Sequence, residues 1–167
     1  MTSPRPQNTA SPSLLPLSRS DHDLVRDIAV APEQVVYCGT IAMAFASDEA
    51  GVDFYAIQQA GRFVGFFKID VKYPRTYNFA RQGDLGLRAF MIDHRVQGSG
   101  IGSGALRVLP SLLRRTYPKA QALVLTVNMR NHAALRTYLN CGFRDTGDIH
   151  DGGIAGPQHV MRLPLFD

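Results

Sequence analysis

The segment from Leu85 to Leu113 constrains this chain most. An apolar run, Leu85 to Ile92, leads straight into Gln97-Gly98-Ser99-Gly100-Ile101-Gly102, and Leu106, Leu109, Leu112 and Leu113 then recur at helical spacing. Strand, glycine loop and helix in that order commit the chain to an α/β layer, because the helix must cover the sheet that precedes it. Gly98, Gly100, Gly102 and Gly104 clear side chains from the turn, so backbone amides can approach an anion, and the helix amino terminus adds partial positive charge. A phosphate-like group is the natural guest, although a glycine-rich turn of this kind also occurs where nothing binds.

Two classes of phosphate site fall away at once. A P-loop requires Gly-Lys-Ser/Thr after its spacer, and that tripeptide is absent. A dinucleotide fingerprint opens a βαβ unit near a domain start and carries an acid about 20 residues on. Here the glycines follow hairpin strands, and the corresponding stretch is Lys119-Ala120-Gln121.

The remaining chain supplies the elements around this core. Residues Met1 to Ser13 are rich in Pro, Ser and Thr and read as a flexible tail, with the fold beginning at Leu14. Leu14-Leu15-Pro16-Leu17 predicts an edge strand, and Ser20 suits a helix start that Ala31-Pro32 stops. Glu33 to Ala46 reads as helical. Val52 to Gln58 and Phe63 to Val71 predict a hairpin around Gln59-Ala60-Gly61-Arg62, followed by a polar loop from Lys72 to Asp84. Pro110 predicts a kink in the helix after the glycine loop. Ala122 to Val127 is a strand apolar enough to be buried on both faces, and a second helix near Asn131 to Cys141 ends at Gly142. Phe143 to Asp148 and His159 to Leu165 close the set.

At 167 residues the chain fits one domain, residues 14–167, and hence one site. Eighteen Lys plus Arg against fourteen Asp plus Glu give a formal charge of +4, which favours an anionic ligand. The basic residues are scattered, so nucleic-acid binding is not expected. No run approaches the ~18 apolar residues of a membrane span. Cys38 and Cys141 lack metal-ligand spacing, so a reduced cytoplasmic protein without a metal is the expectation.

Gln97-Gly98-Ser99-Gly100-Ile101-Gly102 matches Q/R-x-x-G-x-G/A, and Asn131, Ala134, Tyr138 and Gly142-Phe143 follow N-x-x-A-x-x-x-Y-x-x-x-G-F. With Phe90-Met91-Ile92-Asp93 upstream, the segment from Leu85 to Phe143 resembles the GNAT N-acetyltransferase superfamily. That resemblance implies a mixed, mostly antiparallel twisted sheet, splayed where Leu85 to Ile92 meets Ala122 to Val127, with helices on its faces. It implies acetyl-CoA as co-substrate. The amides from Gln97 to Ser103, including Ser99, Gly100 and Ile101, would cradle the pyrophosphate. The backbone at Met91 and Ile92 would pair with the pantetheine arm, Asn131 would bond near it, and Tyr138 would face the sulfur. The family often carries lysine near the positions of Ser99 and Ser103; Arg95, Arg136 or Lys119 would have to supply that charge here. The family also often dimerises, so a homodimer is carried as an expectation.

Physical chemistry supports Tyr138 as the general acid, since a phenol of pKa ~10 can protonate a departing thiolate of similar basicity. Packing on its helix face is the competing role for this ring. Asn131 has a competing role as a helix cap. Cys141, beside Gly142-Phe143, reads as a core thiol rather than a nucleophile.

The acceptor must arrive as a neutral amine, which at pH 7 costs an alkyl ammonium about 4.6 kcal/mol. Asp84, Asp93, His94, Asp48, Glu49 and Asp53 are candidate proton acceptors, each also readable as a solvated loop residue; His22, His132, His150 and His159 rank lower. Pro32-Glu33-Gln34 and Leu87 to Asp93 look similar to polyamine acetyltransferase-like members, although the acid such members carry before the last strand is missing from Ala155-Gly156-Pro157-Gln158. The acceptor expected is a small-molecule amine: a polyamine, an amino acid or an antibiotic. A non-catalytic acyl-CoA-binding module and a protein N-terminal or lysine acetyltransferase are the alternatives.

Overall fold

A computed structural model describes residues 10–166; most of the expected tail, residues 1–9, lies outside that range. The strands are β1 (Ser13–Leu17), β2 (Val52–Gln59), β3 (Arg62–Asp70), β4 (Asp84–Ile92), β5 (Ala122–Asn128), β6 (Arg144–His150) and β7 (Gln158–Pro164). The helices are α1 (His22–Val25), α2 (Val35–Cys38), α3 (Ile41–Ala46), α4 (Tyr73–Thr76), α5 (Ile101–Thr116) and α6 (His132–Asn140). One seven-stranded sheet runs in the order β1-β2-β3-β4-β5-β7-β6. Every neighbouring pair is antiparallel except β4 and β5, which are parallel.

That one parallel pair is also the shortest. β4 and β5 meet only at Asp84↔Ala122, Leu85↔Leu123 and Gly86↔Val124, and beyond Gly86 they no longer pair. Asp84 secures the closed end of this V: its carboxylate, with no exposed surface, takes the Arg162 guanidinium from β7 at 2.6 Å and the Arg81 amide at 2.8 Å.

The two faces of the sheet bury separate cores. Ala105, Leu106, Leu109 and Leu113 form the inner stripe of α5 and pack on Phe67, Ile69, Leu123 and Leu125. On the opposite face Val25, Ile28, Ile41 and Ala44 close over Phe54, Phe66 and Met91. The β2–β3 turn is tighter than the four residues expected: only Ala60 and Gly61 lie in it, with φ of 51° and 76°, as a two-residue turn matching strand twist requires.

Several local expectations change. Glu33 to Ala46 is not one helix, because Gly39, at φ 76°, breaks it into α2 and α3; Thr40 then caps α3 through the Met43 amide. The first helical turn starts after Ser18, not Ser20; Asp21 accepts the Ser18 amide at 2.7 Å. Residues 10–13 are tied down: Pro12 is buried, Ser13 is already in β1, and the Ala10 carbonyl accepts from Gln59. The helix α5 continues through Pro110 without a break.

The expected polar loop after β3 contains α4, whose Tyr73 is buried against the sheet where β4 and β5 pair. A Cβ at Gly86 would lie 2.1 Å from the Tyr73 ring. Gly86→Ala is therefore expected to lower stability by about 1–3 kcal/mol through overpacking, read as a reduced urea midpoint with an unchanged slope.

Candidate active site

Where β4 and β5 diverge, a cavity of about 680 Å³ opens between them. Its walls come from the open edges of both strands, from α2 and α4 on one side, and from α6 and the glycine loop on the other. Backbone groups on the facing edges lack sheet partners there, and a buried unpaired amide or carbonyl calls for a ligand or water.

The edge of β4 is shaped by a bulge. Phe66 pairs with Met91 but Lys68 with Arg88, so β4 carries one extra residue opposite Phe67, and Ala89 takes a φ of 52°. The Asp93 amide donates to Val64 at 2.7 Å. Alternation along the ladder therefore turns the Met91 backbone toward β3 and the Ile92 backbone into the cleft. The Ile92 carbonyl accepts from the Gln97 side chain at 2.8 Å, in keeping with that orientation. Of the two residues expected to pair with an extended ligand, Ile92 turns its backbone to the cleft, while Met91 contributes its buried side chain to the opposite core.

The glycine loop sits at the far end of the same edge. Gly98 and Gly100 have φ of 79° and 86°, a region side chains rarely adopt, and a Cβ at either would meet nothing within 4 Å. Glycine serves backbone conformation there and leaves the approach clear. Gly104 is the first amide of α5 to bond back, to the Gly100 carbonyl at 2.9 Å. The amides of Ile101, Gly102 and Ser103 are thus the unpaired amides at the helix start, where the dipole is positive. A Cβ at Gly102 would lie 3.5 Å from Ile92, which sets how closely α5 approaches β4.

Side chains of the loop are engaged within the protein. Gln97 and Gln34 exchange amide hydrogen bonds at 2.9 and 3.1 Å, linking the loop to the turn that leads into α2, and the Ser99 hydroxyl donates to the Val96 carbonyl at 2.5 Å. The structure lines the cavity with Gln97, Gly98, Gly102, Met91, Ile92, Asn131 and Tyr138; Ser99, Gly100, Ile101 and Ser103 are not among its walls. Asn131 caps α6 through the Ala134 amide, so its capping role holds along with its place in the wall.

Of the three cations considered for phosphate charge, Arg95 is ion-paired with Asp93 at 2.6 Å. Lys119 follows the opposite end of α5, roughly 24 Å from the loop along a 16-residue helix, and cannot reach it. Arg136 is exposed on α6.

Tyr138 projects from α6 onto the cavity, its ring edge-on to Phe143 at 5.4 Å and Phe90 at 6.4 Å. Burial, and then the nearby Cys38 and Cys141 thiols, push its pKa up, so the phenol keeps its proton throughout the neutral range. Its hydroxyl takes no protein hydrogen bond among the described residues. The Cys38 thiol, which also lines the cavity, is raised to about 11 by burial, and Cys141 donates to the Ser103 carbonyl at 3.8 Å. Burial thus leaves Cys38 a poor nucleophile, and Cys141 is not among the cavity walls.

The proton acceptors considered from sequence lie elsewhere. Asp84 is bound to Arg162, and Asp53 accepts the Tyr117 hydroxyl at 2.5 Å. Hydrogen bonds from Arg95 hold Asp93 below the usual carboxylate range, and the Arg88 guanidinium does the same for Glu49. None of these, nor Asp48 or His94, lines the cavity. His150 does. Its ring is held edge-on by Tyr77 at 5.4 Å and Phe79 at 5.5 Å, and a Cβ at Gly152 would come within 2.9 Å of it. From sequence His150 ranks low and Asn128 is missed: Asn128 is buried in the cavity wall, its side-chain Oδ1 accepts the Arg130 amide, and its Nδ2 has no partner among the described residues. A histidine before a Gly-Gly pair and an asparagine ending a buried strand were the only signals available, and both are weak.

Among the described residues no three metal-ligating side chains come together, and no helix is long and apolar enough to cross a membrane. A sequence model of the acetyltransferase (GNAT) family matches residues 19–143. A spermine/spermidine N(1)-acetyltransferase of Bacillus subtilis is 26% identical over 132 residues, 77% of this chain and 85% of the relative. Among solved structures, the aminoglycoside acetyltransferase AAC(6')-Ib in complex with coenzyme A superposes with a TM-score of 0.73 at 19% identity, over 92% of this chain and 95% of that one. The ribosomal-protein-S18-alanine N-acetyltransferase of Escherichia coli gives 0.66 at 17% identity, over 93% and 95%.

Proposed function

The chain belongs to the acetyltransferase (GNAT) family, and on that premise we propose that it transfers the acetyl group of acetyl-CoA to the primary amine of a small molecule by direct attack. The observation that carries this reading is the splay of β4 from β5, which puts an open backbone edge, the helix start at Gly102 and a phenol around one cavity.

Acetyl-CoA supplies an activated thioester; this chain's residues would hold and polarise it. The amides of residues 101–103 suit a diphosphate, helped by the helix dipole rather than by lysine. The open Ile92 backbone suits an extended amide-bearing arm, and its amide is the donor for negative charge building on the carbonyl oxygen. Tyr138 gives its proton to the departing sulfur.

His150 is the proton acceptor for the amine in this scheme, directly or through one water. It is the imidazole in a cavity without carboxylates among its described walls, and a neutral imidazole has a ring nitrogen free to accept a proton. Free-thiol release from acetyl-CoA, measured over a panel of polyamines, amino acids, aminoglycosides and small monoamines, tests the activity. His150→Gln is expected to lower kcat/KM about 10²-fold. Binding of acetyl-CoA without turnover of any amine would favour a non-catalytic binding module instead.

A further inference from the structure

The acceptor half of the cleft has an unusual charge balance. No carboxylate lines it among the described residues, and its one formal charge is the Arg88 guanidinium. Glu49 and Asp70 are committed to Arg88, at 2.5 and 3.2 Å, with Lys68 3.9 Å from Glu49. Two cations and two anions thus close on one another, and neither acid is free for a ligand. The other walls on this side include Tyr37, Tyr77, His150 and, fully exposed at the mouth, Ile154, with the neutral amides of Asn128 and Gln158.

A polyamine carries several ammonium groups. The one that reacts gives up its proton, but each of the others would lose water here without gaining a counter-charge, which is costly. A single amine has no such remainder. A flat apolar body attached to it gains contact with tyrosine faces and covers the exposed isoleucine.

Resting on the acetyl-transfer reading above, we infer that the acceptor is a primary monoamine borne on an aromatic or other flat apolar body, with the amine toward Tyr138 and the body between Tyr37 and Tyr77, reaching Ile154. The B. subtilis relative, by its name, acts on spermine and spermidine; this cavity does not provide for their extra charges.

The test compares 2-phenylethylamine, spermidine and glycine as acceptors for the full chain, by kcat/KM, and as ligands of the coenzyme A-saturated protein, by calorimetry. The expected preference for 2-phenylethylamine over either competitor is about tenfold or more in both measurements. Ile154→Glu, at a fully exposed position, is expected to narrow the gap to spermidine about threefold by placing a carboxylate at the mouth. Spermidine or glycine equal to or ahead of phenylethylamine in binding overturns the inference, even if acetylation is seen. Absence of all acetylation alongside preferential binding of phenylethylamine overturns the transferase reading and leaves the pocket's selectivity standing.

Discussion

Tyr138→Phe is expected to lower kcat about 10²–10³-fold with little change in acetyl-CoA affinity. The substitution keeps the ring and its edge-on contacts with Phe90 and Phe143, so the wall of the cleft should hold its shape. What is lost is a phenol that burial keeps protonated and that no protein group has claimed among the described residues. With nothing to protonate it, the leaving sulfur must depart as a thiolate or wait for water. Steady-state thiol release together with calorimetric binding of coenzyme A separates the two effects. A mutant with full kcat would reduce Tyr138 to a packing residue and leave proton donation to solvent.

Asp84→Ala is expected to cost about 3–5 kcal/mol of stability, because it leaves Arg162 with an uncompensated charge in a largely buried position. The Arg81 amide loses its acceptor in the same step. Asp84→Asn should be milder, since an amide oxygen can still accept from Arg81 and Arg162. Urea unfolding of the three proteins measures this, with the midpoint as readout and the slope as check on two-state behaviour. A loss below about 1 kcal/mol for Asp84→Ala would mean that the ion pair contributes no more than an exposed one. The carboxylate first considered as a catalytic base thus serves at the root of the V, where β4, β5 and β7 are joined.

The sequence carried the layout of the site further than its chemistry on the acceptor side. The glycine loop was legible because its demands are local: positive φ at Gly98 and Gly100 and an unpaired helix start depend on neighbours in the chain. The strands were legible for the same reason, through apolar runs and the turn signal at Gln59-Ala60-Gly61-Arg62, although the turn itself proved two residues shorter. The short helices were legible only as longer ones or not at all: α1 and α2 lie within segments read as longer helices and α4 within one read as a loop, since each spans four residues and has too few positions to show a period. Charge pairing was equally hidden. Glu49 and Arg88 lie 39 positions apart, and Asp84 and Arg162 lie 78 apart, so an acid near a turn looked free when it was committed. His150 had the opposite fate: a loop histidine in sequence became a wall of the cavity once α4 brought Tyr77 against it.

The parting of β4 from β5 has a consequence for the life of the protein without its ligand. Sheets usually hide their raw edges at the rim, behind charges, prolines or covering helices. This one has a raw edge in its interior, in the middle of its strand order. A co-substrate lying along it would act as a temporary strand and repair the ladder, and any ligand bound only by the folded state raises stability, by about 2.7 kcal/mol at a hundred times its dissociation constant, so that thermal melting with and without coenzyme A is expected to differ.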